Sequence, residues 1–237
     1  MKKYILYLLL MSFSVSVNAQ FFSQDFSAST VVTDYVSATP NSGQFEGISP
    51  SSTAPSTALA TTITNGALRF NRSASASVFA FRNFSFTTNP TFVQFKMDFD
   101  ASTATVSNQN PANPAFTVFI GPSFSTALTG LTAPFVSRCG IYIQNAAGDF
   151  KIGSVDGGTS PDIFSGKQTI TMVANSSGSS QTYTAPNGTL ETVSDGFMDI
   201  WVGTTRGVNE FALKNNLTTT ISAFKFQAQG STSAFGT

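Results

Sequence analysis

Four short constellations in the 237-residue chain hold residue types from which a site could be built. In "TFVQFKMDFD", Asp98 and Asp100 are two residues apart, so on an extended strand they share a face at about 6.6 Å, twice the strand rise. Glycoside hydrolysis uses two carboxyls roughly 5 to 9.5 Å apart across the scissile bond. In "SRCGIYIQN", Arg138, Tyr142 and Gln144 fall on one face by parity. They combine a tyrosine able to exchange a proton with planar groups able to neutralise a carboxylate. In "DGFMDIWVGTT", Asp199 and the only tryptophan, Trp201, alternate out of phase with Met198, Ile200 and Val202. In "VDGGTSPD", Asp156 and Asp162 flank glycines and offer oxygen ligands of the kind calcium takes.

The composition weighs against most catalytic readings of these groups. The chain has no histidine, so neither a Ser-His-Asp or Cys-His nucleophile system nor a zinc site of the usual His-containing kind can be assembled. Glu46, Glu191 and Glu210 are isolated along the sequence. Asp98 and Asp100 read more simply as the solvated face of a strand whose other face, Val93, Phe95, Met97 and Phe99, is core. "VDGGTSPD" lacks the twelve-residue spacing of an EF-hand and reads more simply as a Gly-rich turn, so the only cofactor to consider is a structural calcium ion at Asp156 and Asp162. What remains is sugar chemistry. Pyranose faces pack on aromatic rings while hydroxyls pair with amides and carboxylates, and Trp201, Asp199, Tyr142, Gln144 and Arg138 supply both kinds of group. Trp201 either stands beside Asp199 on a functional face or is covered by a loop such as residues 37 to 62.

The elements that must position these groups are strands. Only 10% of residues are charged, long Ala/Leu/Glu/Lys runs are absent, and period-2 alternation recurs between Gly, Pro, Asn and Ser clusters. The pattern places strands near residues 21 to 27, 30 to 37, 66 to 71, 76 to 86, 91 to 99, 115 to 120, 136 to 144, 149 to 154, 168 to 174, 181 to 185, 197 to 203, 207 to 213 and 219 to 228. Residues 37 to 62 and 101 to 114 read as long polar surface loops. In "SVFAFRNFSF" the aromatic phase slips between Phe81 and Phe84, which calls for a bulge or turn at Arg82-Asn83. Cys139 alternates in phase with Ile141 and Ile143, as a buried small hydrophobe would, and as the only cysteine it has no disulfide partner in the chain.

The first 19 residues, "MKKYILYLLLMSFSVSVNA", carry two lysines, an apolar stretch of about a dozen residues and Val17 and Ala19 at the positions signal peptidase reads. They predict a cleaved signal peptide and a secreted or cell-surface chain, bacterial by its signal sequence, with residues 20 to 229 as one β-sandwich domain and 230 to 237 as a polar tail. No later run is apolar enough to cross a membrane as a helix. Without Lys2 and Lys3 the remaining 218 residues hold 10 basic and 12 acidic side chains. No basic cluster stands out, so nucleic acid is not an expected partner.

The order "QFFSQDFS", "NGALRF", a long Phe-alternating strand, "QTITMVANSSGSSQTYTAPNGT", "DIWVG" and a closing "ISAFKF" resembles the concanavalin A-like lectin and glucanase superfamily, with its laminin G-like jelly rolls. The resemblance implies an all-β, antiparallel jelly-roll β-sandwich of two packed sheets, with a concave face that binds glycans in many members. It also implies that the first and last strands, 21 to 27 and 219 to 228, lie side by side. The glucanase motif Glu-x-Asp-x-x-Glu survives only as Lys96-Met97-Asp98-Phe99-Asp100-Ala101, which lacks the carboxylate nucleophile. "CGIYIQN" is similar to the Gly-x-Tyr-x-Gln strand of alginate lyases, whose Gln-Ile-His motif a histidine-free chain cannot supply. The expected function is therefore a secreted, non-catalytic carbohydrate-binding or adhesion-type protein with a polysaccharide or glycan partner. The alternative is a structural or matrix surface protein without a small-molecule ligand, and the third reading is a jelly-roll lyase.

Overall fold

The computed structural model describes residues 20–50, 59–72, 78–101, 114–125, 137–144, 148–154, 158–214, 220–228 and 235–236. Residues 1–19, Asp156 and most of the 101 to 114 segment lie outside the described residues. Within them the chain forms the strands β1 (Gly47–Pro50), β2 (Leu59–Thr64), β3 (Ala67–Arg72), β4 (Val78–Asn83), β5 (Phe92–Phe99), β6 (Phe116–Gly121), β7 (Ser137–Ile143), β8 (Asp149–Ser154), β9 (Gly158–Thr159), β10 (Phe164–Ser165), β11 (Gln168–Asn175), β12 (Gln181–Thr184), β13 (Leu190–Val193), β14 (Phe197–Val202), β15 (Thr205–Ala212), β16 (Ala223–Ala228) and β17 (Phe235–Gly236). No described helix is long and apolar enough to cross a membrane.

Alternation sorts the side chains into faces because successive residues of a strand point to opposite sides. On β7, Cys139, Ile141 and Ile143 point inward; on β14, Met198, Ile200 and Val202 do; on β5, Phe99 is buried, and Val93, Phe95 and Met97 pack against the same core. These rows meet between two antiparallel sheets. The larger runs β1-β4-β16-β6-β7-β8-β10, with β9 on β8, and the smaller runs β15-β14-β11-β5. Phenylalanine rings line the space between, from Phe45 and Phe224 through Phe226 and Phe116 to Phe99 and Phe150. The protein is an all-β antiparallel sandwich. Two small additions flank it, a β12–β13 hairpin and a β17-β3-β2 sheet.

Several expectations are corrected. Residues 21 to 27 form no strand, and β16 pairs instead with β4 and β6. The N-terminal segment still reaches the last strand, by side chain: the rings of Phe22 and Phe224 meet edge to face with centroids 5.0 Å apart. Residues 30 to 37 contain a short 3-10 helix, Val32–Tyr35, held by the Tyr35 hydroxyl, which accepts from the Ser29 N–H and donates to the Ser29 carbonyl. The 37 to 62 segment is not simply a surface loop. It carries β1, begins β2 and buries Phe45 in the core. No bulge or turn forms at Arg82-Asn83, where β4 keeps unbroken register with β16; the Asn83 side chain donates to the Phe124 carbonyl and accepts from the Phe124 N–H. Phe79 and Phe81 lie on the outer face of the large sheet with Phe119 and Phe124, while Phe84 packs inward.

Candidate functional site

The outer face of β14 carries Phe197, Asp199 and Trp201. Trp201 is flanked in register by Thr171 of β11 and Arg206 of β15, and Asp199 by Val173. Sequence parity put Trp201 and Asp199 on one face apart from the aliphatic row, and the structure does the same. The face is not open there. The β12–β13 hairpin lies over it, and Tyr183, Ala185 and Val193 form a third apolar cluster with Val173 and Trp201. The cover is thus residues 181 to 193 and not the 37 to 62 loop. "TAPNGTL" makes this cover locally, with Gly188 at φ 86 as the left-handed turn residue and the Asn187 side chain accepting from the Thr189 N–H.

Beneath the hairpin is a closed polar network. The Trp201 indole N–H donates to the Tyr183 hydroxyl at 2.9 Å, and that hydroxyl donates to Asp199 Oδ2 at 2.5 Å. Asp199 Oδ1 accepts from the Glu210 N–H at 2.8 Å, made accessible by a bulge at which β15 slips register and Glu210 takes φ 49. Glu210 in turn accepts from the Ser194 N–H with its side chain. The Arg206 guanidinium lies over the Trp201 ring at 4.6 Å and pairs with Glu191 of the hairpin. Arg206 holds the Glu191 carboxyl below its usual range, whereas burial, reinforced by Asp199, pushes the Tyr183 hydroxyl above its own. Trp201, Tyr183 and Asp199 satisfy one another's polar atoms, as buried polar groups must, while Arg206 is held by ion pairing with Glu191 and Asp199 and by the Trp201 ring.

Tyr142, Gln144 and Arg138 are on the other sheet, facing away from the Trp201 side. Tyr142 folds along its own strand, so that a Cβ built on Gly140 would come within 2.7 Å of the Tyr142 hydroxyl. Gln144, half-buried past the strand end, donates to the Tyr142 carbonyl. Arg138 is the register partner of Phe119. Trp201 is 2% exposed, Asp199 0%, Tyr142 2% and Arg138 8%, so the five candidates form two separate groups and no common platform. Asp162 is exposed, with its N–H donating to the Ser160 hydroxyl. Asp98 is exposed as expected and occupied by neighbours, accepting from the Thr169 hydroxyl and pairing with Lys167 at 3.0 Å.

Sequence reasoning missed Tyr183, Arg206, Glu191 and Glu210, which complete the Trp201 network, and the burial of Lys225. That lysine alternates with Phe224 and Phe226 as a solvent-facing residue would, yet its amine lies 4.9 Å from the Phe79 ring and donates to the Ser125 carbonyl. Burial pulls its pKa down to about 8. The Asn187-Gly188 turn was the available signal for the hairpin; nothing local announces what the hairpin covers. No protein-family profile matches the chain, and no curated protein matches it in sequence. Fold and site together define a class, an all-β antiparallel sandwich whose aromatic and charged outer-face residues are tied into its own packing.

Proposed function

We propose that this chain is a secreted, non-catalytic structural module of a cell surface or extracellular matrix, and that its outer-face aromatics serve stability and not ligand capture. One observation carries the reading: Trp201 and Asp199, the best sugar-binding pair in the sequence, spend their polar atoms on Tyr183, Glu210 and Arg206 under the β12–β13 hairpin. A stacking platform must present a ring face to the sugar, and here the Trp201 face is taken by the Arg206 guanidinium. The lyase reading loses support on the same ground, because a catalytic tyrosine must reach its substrate and Tyr142 is turned onto Gly140.

Affinity electrophoresis against a panel of polysaccharides, with a glycan array alongside, tests the proposal. No retardation and no array signal are expected. Retardation by a glycan that is abolished in Trp201→Ala or Tyr142→Ala, in variants shown by circular dichroism to fold, would overturn it in favour of the lectin reading.

A further inference from the structure

Among the described residues the two sheets of the sandwich end in four edge strands, and three of them are poor templates for a further strand. β1 has four residues and ends on Pro50, and β10 has two. β15 has eight but is bulged, with register slips opposite Met198–Ile200 and Ile200–Trp201. Short length, proline and bulges are the usual means of protecting an edge. β5 has none of them. It runs for eight residues in unbroken register with β11, contains neither glycine nor proline, and among the described residues pairs with no strand on its other side.

The free edge presents a defined set of backbone groups. The Ser176 N–H donates to the Thr91 carbonyl, so Thr91 faces β11. Antiparallel alternation then turns the backbone groups of Val93, Phe95 and Met97 towards β11 and those of Gln94, Lys96 and Asp98 outward. On the opposite side of the same register, the carbonyl of Thr169, partner of Asp98, is used by the Gly203 N–H of the next turn, which agrees with this phase. Lys96 and Asp98 side chains are exposed, while Val93, Phe95 and Met97 on the core side are only half-buried.

We infer that two copies of this chain pair antiparallel through their β5 edges, about a two-fold axis at Met97, so that the two four-stranded sheets become one continuous sheet. Charge selects the partner and the register. A lysine in mid-edge ordinarily repels an incoming strand. With the axis at Met97, Lys96 of each copy lies opposite Asp98 of the other in a backbone-bonded pair. Sliding the axis by one residue in either direction sets Lys96 opposite Lys96 or Asp98 opposite Asp98, which disfavours both neighbouring registers. In the favoured register Met97 meets Met97 and Phe95 meets Phe99 of the other copy, covering the apolar row that a single copy leaves half-buried. One strand pair buries less than the roughly 1,200 Å² of a stable interface, so the association is reversible and concentration-dependent.

Sedimentation equilibrium of the purified protein over a thousand-fold concentration range tests the inference. The expected result is a monomer–dimer equilibrium that Lys96→Asp and Asp98→Lys each weaken at least about tenfold, since each replaces two attractive cross-strand pairs by like charges. An equimolar mixture of the two variants regains association at the level of the unaltered protein, because each carries the complement of the other. Met97→Cys is captured as a disulfide-linked dimer under mild oxidation, and it keeps the test available if Asp98→Lys, which loses its bonds to Lys167 and Thr169, does not fold. A protein that is monomeric throughout the range, a dimer indifferent to Lys96→Asp, or a mixture no better than its components would overturn the inference. Association is read independently of glycan binding, so failure here leaves the structural-module proposal to its own test.

Discussion

The Tyr183 hydroxyl accepts from the Trp201 indole at 2.9 Å and donates to the Asp199 carboxylate at 2.5 Å. This one oxygen joins the β12–β13 hairpin to β14, and its removal would leave a buried indole N–H and a buried carboxylate oxygen each without that partner. Orphaning buried polar groups costs about 1–3 kcal/mol, more for a charged one. Tyr183→Phe is expected to destabilise the protein by about 2–3 kcal/mol, read as a lower urea midpoint with an unchanged slope.

The same hydroxyl gives stability an alkaline limit. Its folded pKa stands above the ordinary tyrosine value near 10, by burial first and by Asp199 second. Stabilisation from the neutral hydroxyl is therefore complete below about pH 10 and is lost as pH rises towards the folded pKa. Lys225 acts in the opposite sense, because its folded pKa is depressed to about 8. Between about pH 8 and 10.4 the unfolded chain holds more protons at this position and stability rises with pH. Burial of the Cys139 thiol, pushed up to about 12, opposes the Lys225 gain above about pH 9, so urea midpoints are expected to climb from about pH 8 to a plateau near 9 and to fall above about 10. Lys225→Met should flatten the climb and Tyr183→Phe should lessen the fall.

Cys139 is fully buried, and desolvation pushes its thiol up to about 12. Thiolate is the reactive form, so a thiol-specific reagent at pH 8 should modify native protein at the rate of unfolding and denatured protein within seconds. The destabilised Tyr183→Phe variant should react faster than the unaltered chain. Rapid labelling of folded protein would contradict the burial of this residue.

Gly140 leaves room for the ring of Tyr142, and an added Cβ would stand 2.7 Å from the hydroxyl and 2.9 Å from the ring carbon that bears it. Gly140→Ala should cost about 1–3 kcal/mol through overpacking, measured by thermal or urea unfolding. Gly140→Ala combined with Tyr142→Ser should cost less than the sum of the two single changes, because the clash is absent from the pair.

Alternation was enough to assign faces wherever a strand is long and its neighbours are regular. Met198, Ile200 and Val202 against Asp199 and Trp201, Cys139 and Ile141 against Tyr142, and Phe95 and Met97 against Lys96 and Asp98 all lie as period two requires. The pleat is local, and a strand cannot present its side chains otherwise. The same rule misled at residues 21 to 27, where alternating Phe22 and Phe26 seat single rings against the core without a ladder, and at 30 to 37, where Tyr35 is held by a side-chain bond to Ser29.

What covers each face was decided only by the tertiary structure. Lys225 and Asp199 occupy polar positions in their strands, and by sequence both would meet water. The segment after β6 brings the Ser125 carbonyl over Lys225, and the hairpin brings Tyr183 over Asp199. Burial depends on contacts between residues distant in the chain, and neither propensity nor periodicity encodes which hairpin folds over which sheet. The sequence by itself determined an all-β chain, the inward and outward rows of its main strands, and the absence of histidine chemistry. The packing of one small hairpin determined that Trp201 is a keystone beneath Tyr183 and Arg206 and not a surface on which a ligand lies.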